Sequence, residues 1–106
     1  VVMNKPSFDK FEPKTAPGGT IFCDSTLIDK KSERNDIKAV YIPATELAEE
    51  NDLKGFANVI ILGNILKETG IFTYEDFEHY LVSSIPETKS ALIEKNKKAL
   101  SIGYNY

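Results

Sequence analysis

The sequence of 106 residues contains only one cysteine, one histidine and no tryptophan. The single cysteine, Cys23, excludes an internal disulfide framework and any cluster or metal site built from several thiolates of this chain. Together with the single histidine, His79, it provides no usual zinc-binding set. Because a chain without disulfides is typical of reducing compartments, we expect a cytoplasmic protein.

Long apolar runs and a strong charge of either sign are also missing. The 13 basic residues face 16 acidic ones, and they form no basic cluster, so nucleic acid is not expected as the main partner. No basic region followed by a long apolar stretch opens the sequence, so we expect no signal peptide. The most apolar segment, 56–66, is far shorter than the roughly 20 residues that cross a bilayer. It predicts a buried helix and no membrane association.

What the sequence does contain is typical of one folded domain. Hydrophobic residues account for 42% of the chain and charged residues for 27%. This balance disfavours disorder and provides an adequate core at this length.

The first residues, Val1-Val2-Met3, are apolar and are followed by Asn4, Lys5 and Pro6. This pattern is typical of the end of a buried strand that leads into a loop. Because a strand must pair with another strand, we expect the partner to lie in a preceding segment, with this chain as the later part of a longer polypeptide. A short edge strand in a complete small domain is the alternative.

The first half of the chain predicts two further strands and little helix. The expected elements are a helical turn over 8–12 capped by Ser7 and ended by Pro13, a turn at Pro17-Gly18-Gly19, strands over 20–23 and 37–42, and a polar surface loop over 24–36.

The second half predicts four helices. They are expected over 46–50 with Thr45 as cap, over 53–69 ending at Gly70, after Thr73 with Asp76 three residues on and an apolar face of Phe77, Tyr80 and Leu81, and over 87–102 with Gly103 as C-terminal cap. Strands followed by helices indicate an α/β layered domain whose sheet begins upstream.

The helix over 53–69 is apolar around its axis, so we expect it to be buried on several sides. Its polar residues Asn58 and Asn64 then need hydrogen-bond partners. Gly63 lowers helix stability, and the close approach of a neighbouring backbone would explain it.

The candidate site lies at the carboxyl ends of the predicted strands, where open α/β sheets bind ligands. The segments there are Asn4-Lys5-Pro6-Ser7, Asp24-Ser25-Thr26 and Pro43-Ala44-Thr45-Glu46, which converge if the strands are parallel. The candidate binding residues are Lys5, Ser25, Thr45 and Asn58. A helix beginning at Thr45 would suit an anion, although helix capping alone also explains Ser7 and Thr45.

Other reactive side chains have ordinary structural explanations. Cys23 lies inside an apolar strand and predicts a buried, inert thiol, and His79 predicts a solvated side chain. Glu49, Glu50 and the run 94–98 are typical of solvated faces. The sequence contains no nucleophile–base pair, P-loop or glycine fingerprint, so it predicts no catalytic residue and no metal ligand in this chain.

An ordered set of segments resembles the gamma subunit, or gamma domain, of 2-oxoacid:ferredoxin oxidoreductases of the pyruvate and ketoisovalerate type. The matching segments are Val1-Val2-Met3-Asn4, Pro17-Gly18-Gly19-Thr20-Ile21, Ile42-Pro43-Ala44-Thr45-Glu46-Leu47-Ala48, Ala57-Asn58-Val59-Ile60-Ile61-Leu62-Gly63, Thr69-Gly70-Ile71, Asn96-Lys97-Lys98-Ala99-Leu100 and Gly103-Tyr104.

The resemblance implies the C-terminal part of a three-layer Rossmann-like α/β domain, with a glycine-rich strand and turn in the missing front. It implies a role in an enzyme that oxidatively decarboxylates a 2-oxoacid with coenzyme A to an acyl-CoA and carbon dioxide, reducing ferredoxin. Thiamine diphosphate, magnesium and iron–sulfur clusters would be held by the alpha, beta and ferredoxin-like delta subunits. This chain would bind no cofactor itself, would support assembly, and would reach ferredoxin through the complex.

Two other hypotheses stay open at this point. One is a stand-alone α/β module that binds a nucleotide or an acyl group at the same strand ends. The other is a structural interaction domain that docks a partner through the 53–69 helix. The 2-oxoacid is not indicated by these residues, because the substrate pocket is expected mainly in other subunits.

Overall fold

A computed structural model describes residues 1–28 and 31–106 of the chain. The described elements are α1 (Lys5–Phe11), β1 (Thr20–Asp24), β2 (Lys38–Ile42), α2 (Ala44–Glu50), α3 (Ala57–Thr69), α4 (Tyr74–Ser83), a short 3₁₀ turn (Glu87–Lys89) and α5 (Ser90–Tyr104). The expected α/β architecture with a helical C-terminal half is confirmed.

The sheet is small and parallel. β1 pairs with β2 in the register Thr20 opposite Lys38 through Asp24 opposite Ile42. On the other side of β1, Val2 forms a parallel bridge with Cys23. The Val2 N–H donates to the Phe22 carbonyl at 2.8 Å, and the Val2 carbonyl accepts from the Asp24 N–H at 3.1 Å. The expectation that residues 1–3 find no partner in this chain is therefore wrong at Val2, because β1 satisfies both of its backbone groups.

Two apolar clusters lie on opposite faces of this sheet, because successive side chains of a strand point to opposite faces. The first lies against the later helices and contains Phe22, Ile42, Ala44, Ala48, Leu53, Ile60, Ile61 and Ala99. The second lies on the side of α1 and contains Val2, Phe8, Ile21, Cys23 and Ile28. The sheet is thus the middle layer between α1 and the helical half.

α3 and α5 pack at very short distance, and glycines make this possible. A Cβ on Gly103 would overlap the Ile60 carbonyl, lying 2.7 Å from its carbon, and one on Gly63 would overlap the Leu100 carbonyl. The predicted backbone approach at Gly63 is confirmed. The predicted C-terminal cap at Gly103 is wrong: Gly103 lies inside α5, which ends at Tyr104, because the helix crossing requires a residue without a side chain there.

Several predicted helix starts differ from the structure. Asn4 caps α1, its Oδ1 accepting from the Ser7 N–H, so Ser7 lies inside the helix. Thr45 is likewise the second residue of α2 and not its cap. α3 begins at Ala57 and not at 53, because Gly55 adopts φ +91° in a turn that a continuous helix would not allow.

The structure confirms other local predictions. Thr73 caps α4 by accepting from the Asp76 N–H, and Gly70 ends α3 in the left-handed conformation with φ +61°. The surface loop predicted over 24–36 begins later, because Asp24 is the last residue of β1, and it is not wholly exposed, because Ile28 is buried. Asp29 and Lys30 of that loop lie outside the described residues. Among the described residues, no helix combines the length and apolar character needed to cross a membrane.

Replacing Gly103 by alanine tests the α3–α5 crossing. Alanine stabilises an unhindered helix by about 1 kcal/mol over glycine, whereas overpacking costs about 1–3 kcal/mol. We expect Gly103→Ala to lower the free energy of unfolding, measured by urea denaturation. Ala91→Ser, an exposed position of the same helix, should change it by less than about 0.5 kcal/mol. A stabilised Gly103→Ala variant would contradict the described crossing.

Candidate functional site

The carboxyl ends of the parallel strands meet at one edge of the sheet, as the sequence predicts. Asp24 is the last residue of β1, and Ile42 is the last residue of β2. The Ser25 N–H donates to the Ile42 carbonyl at 2.9 Å, which joins the segment after β1 to the end of β2. Two of the three expected segments, those following β1 and β2, are therefore in direct contact.

A buried carboxylate is the centre of this edge. The Asp24 side chain is fully buried and lies on the same strand face as Phe22, toward the helical layer. Its Oδ2 accepts from the Thr45 hydroxyl at 2.5 Å and from the Thr45 N–H at 3.2 Å. Its Oδ1 accepts from the Thr26 N–H at 3.1 Å. Both oxygens of this carboxylate are thus used by groups of the same chain.

The anion expected beside Thr45 is therefore supplied by the chain itself. Thr26 adds a second link, since its Oγ1 accepts from the Glu46 N–H at 3.1 Å. These contacts satisfy two backbone donors in the first turn of α2, which has no side-chain cap of its own. The strand ends are consequently closed against α2 and do not present a free anion site.

The four candidate binding residues do not all come together. Thr45 and Asn58 line one shallow depression of about 350 Å³, shared with Met3, Ala48, Glu49, Lys54, Gly55 and Ala57. Lys5 and Ser25 are not among its lining residues. Asn58 is exposed in the first turn of α3, and its Oδ1 accepts from the Val59 N–H at 3.0 Å. The partner predicted for Asn58 is thus local.

Asn64 differs from Asn58 because it is buried between α3 and α5. Its Nδ2 donates to the Gly103 carbonyl at 3.4 Å, while its Oδ1 has no partner among the described residues. The side-chain N–H group of Asn64 therefore has the expected partner, at the point where α3 and α5 cross. The residue serves the helix packing and lies away from the strand-end depression.

Cys23 and His79 lie outside this edge of the sheet. Cys23 is fully buried, and this burial raises the pKa of its thiol to about 11, so the reactive thiolate is disfavoured. His79 is exposed, as predicted. In the described ranges, no three His, Cys, Asp or Glu side chains are grouped closely enough to hold a metal ion.

Sequence reasoning placed Asp24 both in a candidate strand-end segment and in a surface loop, but it did not name Asp24 as a site residue or predict its burial. The signal was present: an acidic residue directly follows an apolar strand and precedes a Ser-Thr pair, a position where open sheets concentrate polar contacts. What the sequence did not indicate is that the carboxylate turns inward to bind Thr45.

Comparisons with known proteins agree on one family. The family model described as "Pyruvate ferredoxin/flavodoxin oxidoreductase" matches residues 1–106. The 2-oxoglutarate synthase subunit KorC of Methanocaldococcus jannaschii is 31% identical over 106 residues, covering 98% of this chain and 55% of that protein. The ketoisovalerate oxidoreductase subunit VorA of Methanothermobacter marburgensis is 28% identical over 111 residues, covering 100% of this chain and 22% of that protein.

A solved structure shares the fold. The crystal structure of the keto/oxoacid ferredoxin oxidoreductase gamma subunit from Geobacter sulfurreducens PCA superposes with a TM-score of 0.83 at 24% identity. The match covers 98% of this chain and 60% of that chain. This chain therefore spans about half the length of KorC and less than two thirds of the solved subunit.

Replacing Asp24 or Thr45 tests the closed strand ends. Asp24→Asn places an amide N–H against existing donors, so we expect a loss of about 1.5–3 kcal/mol in the free energy of unfolding. Thr45→Val removes one donor only, and we expect a smaller loss of about 1 kcal/mol. Urea denaturation measures both. Glu50→Gln, an exposed change in α2, is the control, and equal stability of all three variants would refute the role of Asp24.

Proposed function

The chain belongs to the pyruvate ferredoxin/flavodoxin oxidoreductase family, and from this premise we propose that it is part of the gamma-type subunit of a 2-oxoacid:ferredoxin oxidoreductase. The observation that carries the proposal is the family match along all 106 residues. Residues 1–106 would form the C-terminal portion of a single gamma-type domain.

The reaction of the proposed enzyme is the oxidative decarboxylation of a 2-oxoacid with coenzyme A. The carboxylate leaves as carbon dioxide, the acyl group passes to the thiol of coenzyme A, and the electrons pass to ferredoxin. Bound thiamine diphosphate supplies carbanion stabilisation, and iron–sulfur clusters supply the electron path.

Within residues 1–28 and 31–106, the side chains do not fit either of these cofactors. Clusters are held by several cysteine thiolates, and the chain has only Cys23, which is buried in the core. The buried carboxylate of Asp24 is already bound by Thr45 and Thr26 and is not free for a magnesium ion. We therefore propose that the alpha, beta and ferredoxin-like delta subunits hold the cofactors. We also propose that the complex is cytoplasmic.

The role left for this chain is structural support of the complex and contact with coenzyme A. The depression shared by Thr45 and Asn58 has apolar walls from Met3, Ala48 and Ala57, and one basic residue, Lys54, and one acidic residue, Glu49, also line it. This combination suits an acyl or pantetheine arm beside a phosphate. Lys5 and Ser25 have no such support, because they do not line the depression.

The α3 helix does not act as a docking surface in this proposal. Ile60, Ile61 and Leu66 are buried inside the chain, and α3 packs on α5 through the two glycines. This argues against an interaction domain that binds partners through 53–69. A stand-alone acyl or nucleotide module remains the competing function, because it would use the same depression.

Co-expression with the larger subunits of the same genome tests the proposed assembly. We expect the chain to co-elute in size-exclusion chromatography with subunits that contain thiamine diphosphate and iron–sulfur clusters, because an assembling chain has a defined binding surface on them. The chain expressed alone is the control for its free elution volume. Elution of the chain by itself in the presence of all subunits would overturn the proposal.

Calorimetric titration with coenzyme A, NAD and ATP separates the two functions. We expect no tight binding by the isolated chain, because it supplies only one wall of the site. In the assembled complex, Asn58→Asp should weaken coenzyme A binding about threefold to tenfold by adding a negative charge near the phosphate groups. Glu50→Gln is the matched control. Tight binding of any of the three ligands by the isolated chain would favour the stand-alone module.

A further inference from the structure

An exposed aromatic surface lies on α4 and on the segment that precedes it. This surface, here called the aromatic patch, consists of Ile71, Phe72, Phe77 and Tyr80. Ile71 is 68% exposed, Phe72 59% and Tyr80 71%. A contiguous apolar patch of this kind on a protein surface marks an interaction site, whereas single exposed apolar residues are ordinary.

The aromatic patch is one continuous surface. The ring centroids of Phe72 and Phe77 lie 6.1 Å apart, and those of Phe77 and Tyr80 lie 6.5 Å apart. Phe72, Asp76, Phe77 and Tyr80 line a groove of about 580 Å³. Side chains that contact one another across a groove can receive an apolar group of a partner.

The position of α4 does not depend on this patch. The helix contains no buried residue, although Phe77, Tyr80 and Leu81 were predicted as its apolar face. It is held from another side, where the Tyr74 ring packs on the Tyr104 ring of α5 with centroids 4.8 Å apart. Of the predicted face, Leu81 is half-buried, whereas Tyr80 points to solvent.

The charge around the patch indicates the chemistry of the partner. α4 contains no lysine or arginine, and of its acidic residues Glu75 lies beside Tyr74 and Tyr104 and does not line the groove. Asp76 lines the groove itself and takes part in no ion pair among the described residues. A complementary surface therefore carries an apolar side chain with lysine or arginine beside it. Two copies of the patch would bring like charges together, which disfavours a symmetric dimer through this surface.

We propose that the aromatic patch docks an apolar side chain flanked by lysine or arginine on a larger subunit of the oxidoreductase. The inference rests on the proposed function and names the surface by which the chain assembles. Each aromatic side chain buries at most about 150–250 Å², so the three of the patch together bury at most roughly 750 Å², less than the roughly 800 Å² per partner of a standard interface. It is the anchoring centre of a wider contact.

A double variant tests the patch in the co-expressed complex. We expect Phe72→Ser with Tyr80→Ser to weaken assembly at least tenfold, measured by size-exclusion chromatography at decreasing concentration. Leu27→Ser with Leu92→Ser removes two exposed apolar residues elsewhere, 52% and 38% exposed, and should leave assembly unchanged. Far-ultraviolet circular dichroism and thermal unfolding of each variant check that the chain remains folded.

A charge reversal and a crosslink test the patch independently of the serine variant, which they replace if that variant folds poorly. Asp76→Lys, a charge reversal in the groove, should weaken assembly about threefold or more, and this loss should diminish at high salt; Glu75→Lys, on the Tyr74 side of α4, is the control. A photo-crosslinking phenylalanine analogue at position 80 should crosslink the chain to a larger subunit at a segment that contains lysine or arginine.

The outcomes separate this inference from the proposed function. If the wild-type chain fails to assemble with the larger subunits, both are overturned. If it assembles and the patch variants assemble equally well, or the crosslink joins only a second copy of this chain, the docking inference alone is overturned. Crosslinking to a larger subunit together with weakened assembly of the patch variants supports both.

Discussion

The carboxylate of Asp24 joins the sheet to the helical half of the chain. It is buried at the end of β1 and binds the hydroxyl and the N–H of Thr45 as well as the N–H of Thr26. A buried carboxylate is costly unless its oxygens are satisfied, so this arrangement specifies one position of α2 against β1. The placement of Ala44 and Ala48 in the core follows from it.

This interaction also limits what the chain does. The strand ends of an open α/β sheet are its usual ligand-binding edge, but here the polar groups of β1 and α2 are bound to each other. A shallow depression beside Thr45 and Asn58 stays open. In our proposal, this depression assists a site that other subunits complete.

Among the last three helices, α3 and α5 form an inner pair and α4 lies outside it. α3 and α5 are locked together by Gly63 and Gly103, which bring their backbones into contact. α4 lies outside this pair, held by Tyr74 on Tyr104, and leaves the aromatic patch exposed. The inner pair holds the helical half together, whereas the outer helix carries the surface that we propose for assembly.

Much of the fold was predictable from local signals. The apolar strands at 20–23 and 37–42, the cap at Thr73 and the left-handed Gly70 follow from side-chain pattern and backbone preference, which act within a few residues. The ordered segments also indicated the family. The N-terminal cap at Asn4 and the start of α3 at Ala57 were less predictable, because neighbouring residues compete for the cap and turn positions.

The sequence by itself determined the two strands, the order of the elements and the inert character of Cys23, since these depend on hydrophobic pattern and residue type. Only the tertiary structure decided that Asp24 turns inward to Thr45 and that Gly103 serves a helix crossing and no cap. It also decided that Asn58 and Thr45 share a depression without Lys5 and Ser25. The Asp24–Thr45 and Gly103–Ile60 contacts join residues 21 and 43 positions apart in the chain, and no local preference specifies which distant backbone will approach.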